Sequence, residues 1–256
     1  MNFVSFPVHV LGVIPARLAS RRLPRKPLLP LAGEPLILWV ARRVVDARVC
    51  ARVVVATDSR EVVEVVERAG FEAALTSAQA ESGTERVAEL LATSEFRSFE
   101  WILNVQGDEP LVPLPALGGA LACLSRGDPL GTAAGQLDRR LAGDPNRVKV
   151  VIRPDGHAAY FSRAPIPFDR DVAEGDEATY YQHIGVYAYT REGLERWVRL
   201  EPVPDERRER LEQLRPLLHG IPFGVTAIGA PAMPGVDTAE DLQTVETLLA
   251  RQLKEV

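Results

Sequence analysis

Residues 13–28, VIPARLASRRLPRKPL, decide the reading of this chain. The apolar run leading into them, His9 to Ile14, has the composition of a buried strand. Pro15 has no N–H to donate and is expected to end that strand's ladder. The residues that follow put Arg17, Arg21, Arg22, Arg25 and Lys26 into one loop. Pro24 and Pro27 keep this loop from becoming helix. Helix resumes near Pro35, where LILWVARRVV repeats its apolar residues at about 3.6 positions. Ligands of open α/β sheets bind at the carboxyl ends of strands, so a cation-rich loop after a first strand suits a polyphosphate. The same charges also fit a solvated basic turn. Neither GxGxxG nor GxxxxGK[ST] occurs, so any phosphate here is held by side-chain cations more than by glycine-opened backbone.

Working outward, strand and helix patterns alternate. RVVVAT (Arg52 to Thr57) reads as a strand ending on Asp58. Glu61 to Gly70 reads as an amphipathic helix closed by glycine. A weak strand is expected over Phe71 to Leu75, a helix over Gly83 to Thr93 and a strand, WILNV, over Trp101 to Val105. This rhythm implies a mostly parallel sheet with helices on both faces. The second half changes character. Val148 to Ile152 and Ala158 to Ser162 flank Pro154-Asp155-Gly156 as a hairpin. Arg163 to Thr179 reads as an irregular, exposed arm and His183 to Tyr189 as a strand. Helices are expected over Arg191 to Leu200 and Leu211 to His219, and a strand over Phe223 to Ile228. A closing amphipathic helix runs over Thr238 to Leu253. The expectation is one domain spanning 1–256 with a smaller lobe around 145–220.

Composition narrows the function. A length of 256 residues suffices for one large α/β domain. The net charge of -5 argues against nucleic acid as a partner and makes the local basic cluster more telling. No apolar run approaches about 18 residues, so no membrane span is expected. No basic segment followed by an apolar core opens the chain, so no secretory leader is expected. Cys50 and Cys123 match no metal spacing and read as reduced fillers in a cytoplasmic protein.

Several polar points carry candidate chemistry. Gln106-Gly107-Asp108-Glu109-Pro110 follows the WILNV strand directly. A carboxylate at a strand's carboxyl end beside a glycine suits Mg²⁺, which takes one or two carboxylates and shares its remaining positions with phosphates and water; an acidic turn is the plainer alternative. Asp237, in GVDT, is a second candidate metal ligand, although an aspartate before a helix is usually a cap, a role open to Asp237 or Thr238. Spacing alone cannot bring Asp108 and Asp237 together. Ser82 to Arg86 offers hydroxyls and a guanidinium to a ligand, or simply starts a helix. His183 and Tyr187, four apart on a strand, share one face. Glu212, Gln213 and Arg215 lie on a helix whose polar face would ordinarily be solvated. No Ser-His-Asp pattern or zinc spacing stands out.

The stretch IPARLASRRLPRKPL resembles the opening signature of the 3-deoxy-manno-octulosonate (Kdo) cytidylyltransferases, the CMP-Kdo synthetases. The resemblance continues through VVVATD, SGTERVAE, NVQGDEP, PNRVKVV, YFSRAPIPFDR, HIGVYAY, LEQLR and PGVDTAEDL, in the family's order and over nearly the whole chain. It implies an α/β nucleotidyltransferase-type three-layer sandwich with a mostly parallel mixed sheet and a small hairpin and arm lobe, assembled as a homodimer. It also implies the reaction CTP plus Kdo to CMP-Kdo plus pyrophosphate, for lipopolysaccharide biosynthesis. The anomeric hydroxyl would attack the α-phosphorus in line.

By the same resemblance, Arg17, Ser20 and Lys26 hold the triphosphate, with Ser82 and Arg86 also on the nucleotide, and Lys26, Arg17 and Asp108 form the catalytic set. Asp108 and Asp237 are the implied ligands of the Mg²⁺ cofactor. Arg22, Gln106, His183, Tyr187, Glu212 and Gln213 are implied around the sugar. Two positions depart from the family: Arg25 stands where a glycine is common before Lys26, and Ala80 where a histidine is common before SGT. Arg25 either adds a cation to the loop or changes its conformation, since the glycine would have served a positive φ. The alternatives are a cytidylyltransferase for a related 2-keto sugar acid (amino-Kdo or a nonulosonate), a metal-dependent glycosyltransferase, and a non-catalytic sugar-nucleotide binding protein of the same fold.

Overall fold

A computed structural model describes residues 9–19, 22–80, 82–170 and 180–252. The chain divides into two compact units, Met1–Leu114 with Met233–Val256, and Pro115–Ala232.

The first unit is a parallel α/β layer. Strand β1 (Val10–Ala16) is buried along its whole length. It pairs in parallel with β4 (Arg52–Thr57) on one side and with β6 (Trp101–Val105) on the other, and β5 (Glu72–Leu75) extends the sheet beyond β4. The order β6-β1-β4-β5 reverses direction at β1. That reversal is a topological switch point, and it opens a crevice beyond the carboxyl ends of β1 and β6. Between β1 and β4 the chain makes a 3-10 turn at Lys26–Leu28, a small ribbon of β2 (Pro30–Leu31) and β3 (Glu34–Pro35), and helix α1 (Leu36–Asp46). Helix α2 (Arg60–Arg68) is capped by Ser59, whose hydroxyl accepts from Val62 N–H, and α3 (Gly83–Ala92) by Ser82, which accepts from Glu85 N–H. Both serines satisfy N–H groups that a helix start leaves unpaired.

Two expectations about the opening stretch are corrected. Pro15 does not end β1, which continues to Ala16 with Pro15 opposite Ala56 and Ala16 opposite Thr57. Val10 C=O accepts from Ala51 N–H on the β4 side, so by alternation along a parallel strand Pro15 turns toward β6. The β1–β6 ladder has already stopped at Val13 opposite Asn104, so no ladder partner loses a donor. Pro27, for its part, lies within the 3-10 turn rather than preventing one; a proline in a first turn costs no internal hydrogen bond.

The second unit begins with α4 (Leu114–Ser125) and β7 (Leu130–Leu137), two elements the periodicity did not reveal. The expected hairpin is present as β8 (Lys149–Ile152) and β9 (Ala158–Ser162), turned at Gly156 with φ 84°. Strand β10 (Tyr180–Thr190) runs antiparallel to β7 and touches β8 at Gln182 opposite Lys149, while β11 (Phe223–Pro231) runs parallel to β7. Residues 163–170 are irregular, as expected of the arm; its remainder, 171–179, lies outside the described residues. Helices α5 (Arg191–Val198), α6 (Pro204–Glu209) and α7 (Leu214–Leu218) follow β10. The solvated face expected over 211–219 is a correction: Gln213 is 2% exposed, and Arg215 makes a two-pronged pair with Glu206 of α6 at 2.7 and 2.9 Å. Helix α8 (Ala239–Gln252) returns to the first unit. Among the described residues no helix is long and apolar enough to cross a membrane.

Candidate active site

The crevice at the switch point is built from three segments of the first unit: the loop after β1, the turn after β6 and the approach to α8. They meet at the Lys26 ammonium. Nζ donates to Asp108 Oδ2 at 2.7 Å, to Asp237 Oδ1 at 3.0 Å and to the Val236 carbonyl at 3.0 Å. Arg22 reaches the other oxygen of Asp237 at 2.9 Å. Burial alone would lower the Lys26 pKa, but the two carboxylates outweigh it and hold the group above its usual value. Burial likewise pushes the Asp237 carboxyl up, and Lys26 and Arg22 bring it below the usual range. The result is a cluster of one amine and two carboxyl groups, with side chains 16 to 38% exposed at Lys26, Asp108 and Asp237, open to a charged ligand.

Local sequence explains each position. Asp108 sits in a turn closed by Glu109 N–H donating to Gln106 C=O, and its own carbonyl accepts from Val236 N–H at 2.9 Å. Gly107 is required there, because a Cβ on it would stand 2.7 Å from the Pro15 carbonyl oxygen. Asp237 is free of capping duty. The cap is Thr238, whose hydroxyl accepts from Asp241 N–H at 3.1 Å, while Asp241 Oδ2 accepts from the N–H groups of Asp237 and Thr238. This reciprocal box satisfies the helix start and leaves the Asp237 carboxylate turned to Lys26 and Arg22.

A second wall organises the loop. Asp58, at the end of β4, accepts from Leu18 N–H and from Arg86, both at 3.2 Å. Arg86 is 2% exposed, and its guanidinium also donates to Thr76 Oγ1 and the Ser77 carbonyl. It therefore ties Asp58, and through Asp58 the Leu18 N–H of the loop, to α3. Ser82 uses its hydroxyl as the α3 cap. Gln106 lies over the start of α3, 3.0 Å from where a Cβ on Gly83 would stand, and donates to Asn104 at 3.4 Å. Arg17 is exposed at the end of β1, and Ser20 lies outside the described residues. The roles of Asp58 and the Val236 carbonyl were not anticipated. Asp58 had a signal, an aspartate ending a strand; a backbone carbonyl had none.

His183, Tyr187, Glu212 and Gln213 belong to the second unit. The His183 and Tyr187 rings lie on one face of β10, their centroids 5.2 Å apart despite an irregularity in the β7 register between Ile184 and Tyr187. Tyr187 donates its hydroxyl to Gln213 Oε1 at 3.2 Å, and Glu212 is half-buried beside it in sequence. His183 Nε2 is buried without a hydrogen-bond partner among the described residues, and burial pushes the imidazole pKa down to about 3. The ring is neutral at physiological pH and can donate to or accept from a polar ligand.

For metal binding, no group of three or more His, Cys, Asp and Glu side chains converges among the described residues. The two carboxylates of Asp108 and Asp237 do converge, on the Lys26 ammonium. All-oxygen donors with two negative charges match a hard divalent cation.

A family model described as cytidylyltransferase matches residues 11–223. The 3-deoxy-manno-octulosonate cytidylyltransferase of Gemmatimonas aurantiaca is 49% identical over 241 residues, covering 93% of each chain. That of Polynucleobacter necessarius is 42% identical over 98% of this chain and 100% of its own. Among solved structures, a CMP:2-keto-3-deoxy-manno-octonic acid synthetase complexed with CTP superposes with a TM-score of 0.86 at 36% identity, covering 95% of this chain and 99% of that one. A cytidylyltransferase from Leptospira borgpetersenii, at 16% identity and a TM-score of 0.63, shares the fold.

Proposed function

The chain belongs to the 3-deoxy-manno-octulosonate cytidylyltransferase family of nucleotidyltransferases, and from that premise we propose that it couples CTP to Kdo, forming CMP-Kdo and pyrophosphate for lipopolysaccharide biosynthesis. The observation that carries this reading is the meeting of Lys26, Asp108 and Asp237 at the switch-point crevice. In the reaction, the anomeric oxygen of the sugar forms a bond to the α-phosphorus. The bond from that phosphorus to the β-bridging oxygen breaks, pyrophosphate leaves in line, and the hydroxyl proton passes to solvent. Such a step asks the protein for positioning and charge neutralisation rather than covalent chemistry.

Lys26, Arg22 and Arg17 are the cations this reading assigns to the task. Lys26 can turn from its carboxylates to the phosphate chain and neutralise charge on the departing pyrophosphate, Arg17 orients the triphosphate, and Arg22 serves the sugar acid beside the phosphates. Asp108 and Asp237 would hold Mg²⁺ through carboxylate oxygens. Bound there, the ion would offset phosphate charge and acidify the attacking hydroxyl. His183, Tyr187, Glu212 and Gln213 offer neutral and acidic partners suited to sugar hydroxyls, with the unpartnered His183 Nε2 as the clearest vacancy for one. The reading extends to a cytoplasmic homodimer, which light scattering and cell fractionation would test.

The deciding experiment is pyrophosphate release from CTP, Mg²⁺ and Kdo, with amino-Kdo, N-acetylneuraminate and no sugar as controls. Kdo-dependent release that collapses in Lys26→Ala and Asp108→Ala is the expected result. Release only with another sugar would move the substrate within the 2-keto acids, and no release despite CTP binding would overturn the catalytic reading.

A further inference from the structure

Arg25 holds backbone angles of φ 58° and ψ 26°, the left-handed region that disfavours residues with a side chain. The conformation is over-determined. Arg25 N–H donates to the Leu18 carbonyl at 3.3 Å, and Leu28 N–H donates to the Arg25 carbonyl at 2.9 Å. Arg25 thus closes the neck of the loop and opens the 3-10 turn that begins at Lys26. Its guanidinium does not point at the carboxylates of the crevice but pairs with Glu61 in the first turn of α2. On the other side of the neck, Leu18 N–H is taken by Asp58 at the end of β4. The neck is therefore fastened twice to the β4–α2 junction. Between the fastenings lies an open cavity of about 570 Å³ whose lining includes Leu18, Pro24, Arg25, Asp58 and Ser59.

We propose that Arg25 is a positioning residue: through Glu61 it fixes the loop neck against α2 and so aims the adjoining Lys26, setting the affinity for the nucleoside triphosphate rather than the rate of cytidylyl transfer. This rests on the reading of the Lys26 loop as the triphosphate site. The pair accounts for the side chain: a glycine would hold the same angles without strain but would give up the tie from the neck to Glu61. Both partners are about half exposed, so the effect is modest and sensitive to salt.

Glu61→Gln keeps the charge and backbone of Arg25 and removes only its partner. It should raise the Kd and KM for CTP about two- to fivefold with kcat within about twofold, a difference that shrinks at about 0.5 M salt as the wild-type pair is screened. Arg25→Gly should raise KM equally without lowering the thermal midpoint, since it relieves the left-handed strain, and the double variant should add nothing further. A lower KM in Glu61→Gln would overturn the proposal by showing that a freed Arg25 binds phosphate itself. An unchanged KM in both single variants would overturn it by reducing the pair to a solvated surface contact. Lys26→Ala serves as the reference for the underlying reading: if it binds CTP as the wild type does, the loop is not the triphosphate site, whatever the Arg25 variants do.

Discussion

Lys26 and Asp108 lie 82 positions apart and are joined by a 2.7 Å hydrogen bond, with Asp237 completing the grip on the same ammonium at 3.0 Å. A divalent cation entering between these carboxylates competes with Lys26 for the same oxygens. Lys26→Met, which keeps much of the side-chain volume and removes the charge, should separate the two roles. Turnover should fall by roughly 10²- to 10³-fold, the usual cost of losing a charge-stabilising donor. Binding of Mn²⁺ in the absence of nucleotide, followed by electron paramagnetic resonance, should tighten by about tenfold, which amounts to about 1.4 kcal/mol of relieved competition. Weaker Mn²⁺ binding in the variant would count against Asp108 and Asp237 as the metal ligands.

Gly107→Ala tests the turn that delivers Asp108. The added Cβ would stand 2.7 Å from the Pro15 carbonyl oxygen, a backbone atom that cannot swing aside. Relief requires the turn after β6 to move away from the end of β1. The expected cost is about 1–3 kcal/mol in urea unfolding, as for other overpacked positions, together with a loss of turnover greater than that of the exposed-turn control Gly143→Ala, whose Cβ meets nothing within 4 Å. A Gly107→Ala enzyme with normal kinetics would show that Asp108 does not depend on this close approach.

Much of this was legible in the sequence, for definite reasons. The bounds of β4 and β6 coincide with the runs RVVVAT and WILNV, because strands buried in a parallel sheet are continuous apolar runs. The QGDEP turn and the cationic loop could be placed at the carboxyl ends of strands for the same reason. Helix α4 and strand β7 were missed because neither has a period. Helix α4 is apolar nearly all round and includes Gly118 and Gly119, and β7 is mostly glycine, alanine and threonine. Contact distance explains these choices: a Cβ on Gly131 would stand 2.4 Å from the Ala120 carbonyl oxygen. The convergence of Asp108 with Asp237 lay beyond one-dimensional reading, since it depends on α8 returning to the sheet that the first half of the chain built.

His183 predicts an acid-sensitive contribution to stability. Its pKa falls from 6.5 unfolded to about 3 folded because burial disfavours the imidazolium. Between those values the unfolded chain binds the extra proton, so the contribution is fully present above pH 6.5 and is lost as pH falls, by up to about 1.4 kcal/mol per unit. His157 acts in the opposite sense. Its hydrogen bond to Asp128 at 2.8 Å outweighs desolvation and raises its pKa above 6.5, so its contribution is full below that value and fades as pH rises through the folded pKa. Urea unfolding at pH 7, 6 and 5 should show a flatter dependence in His183→Leu than in the wild type. Equal slopes would mean that His183 is protonated in the folded state.

The start of α8 allows metal binding and helix capping to be separated at adjacent residues. Thr238 and Asp241 share the capping box, with Thr238 Oγ1 accepting from Asp241 N–H at 3.1 Å, and Asp237 contributes only its N–H to it. Thr238→Val should therefore cost about 1 kcal/mol of stability and leave CTP turnover close to wild type at temperatures where the variant stays folded. Asp237→Asn keeps the N–H, so α8 keeps its cap. It removes the charge facing Lys26 and Arg22, so turnover and Mn²⁺ affinity should fall while the helix remains intact by circular dichroism. If Asp237→Asn unfolded α8 and Thr238→Val did not, Asp237 would be the structural residue after all. The carboxylate pair of the crevice would then lose one of its members.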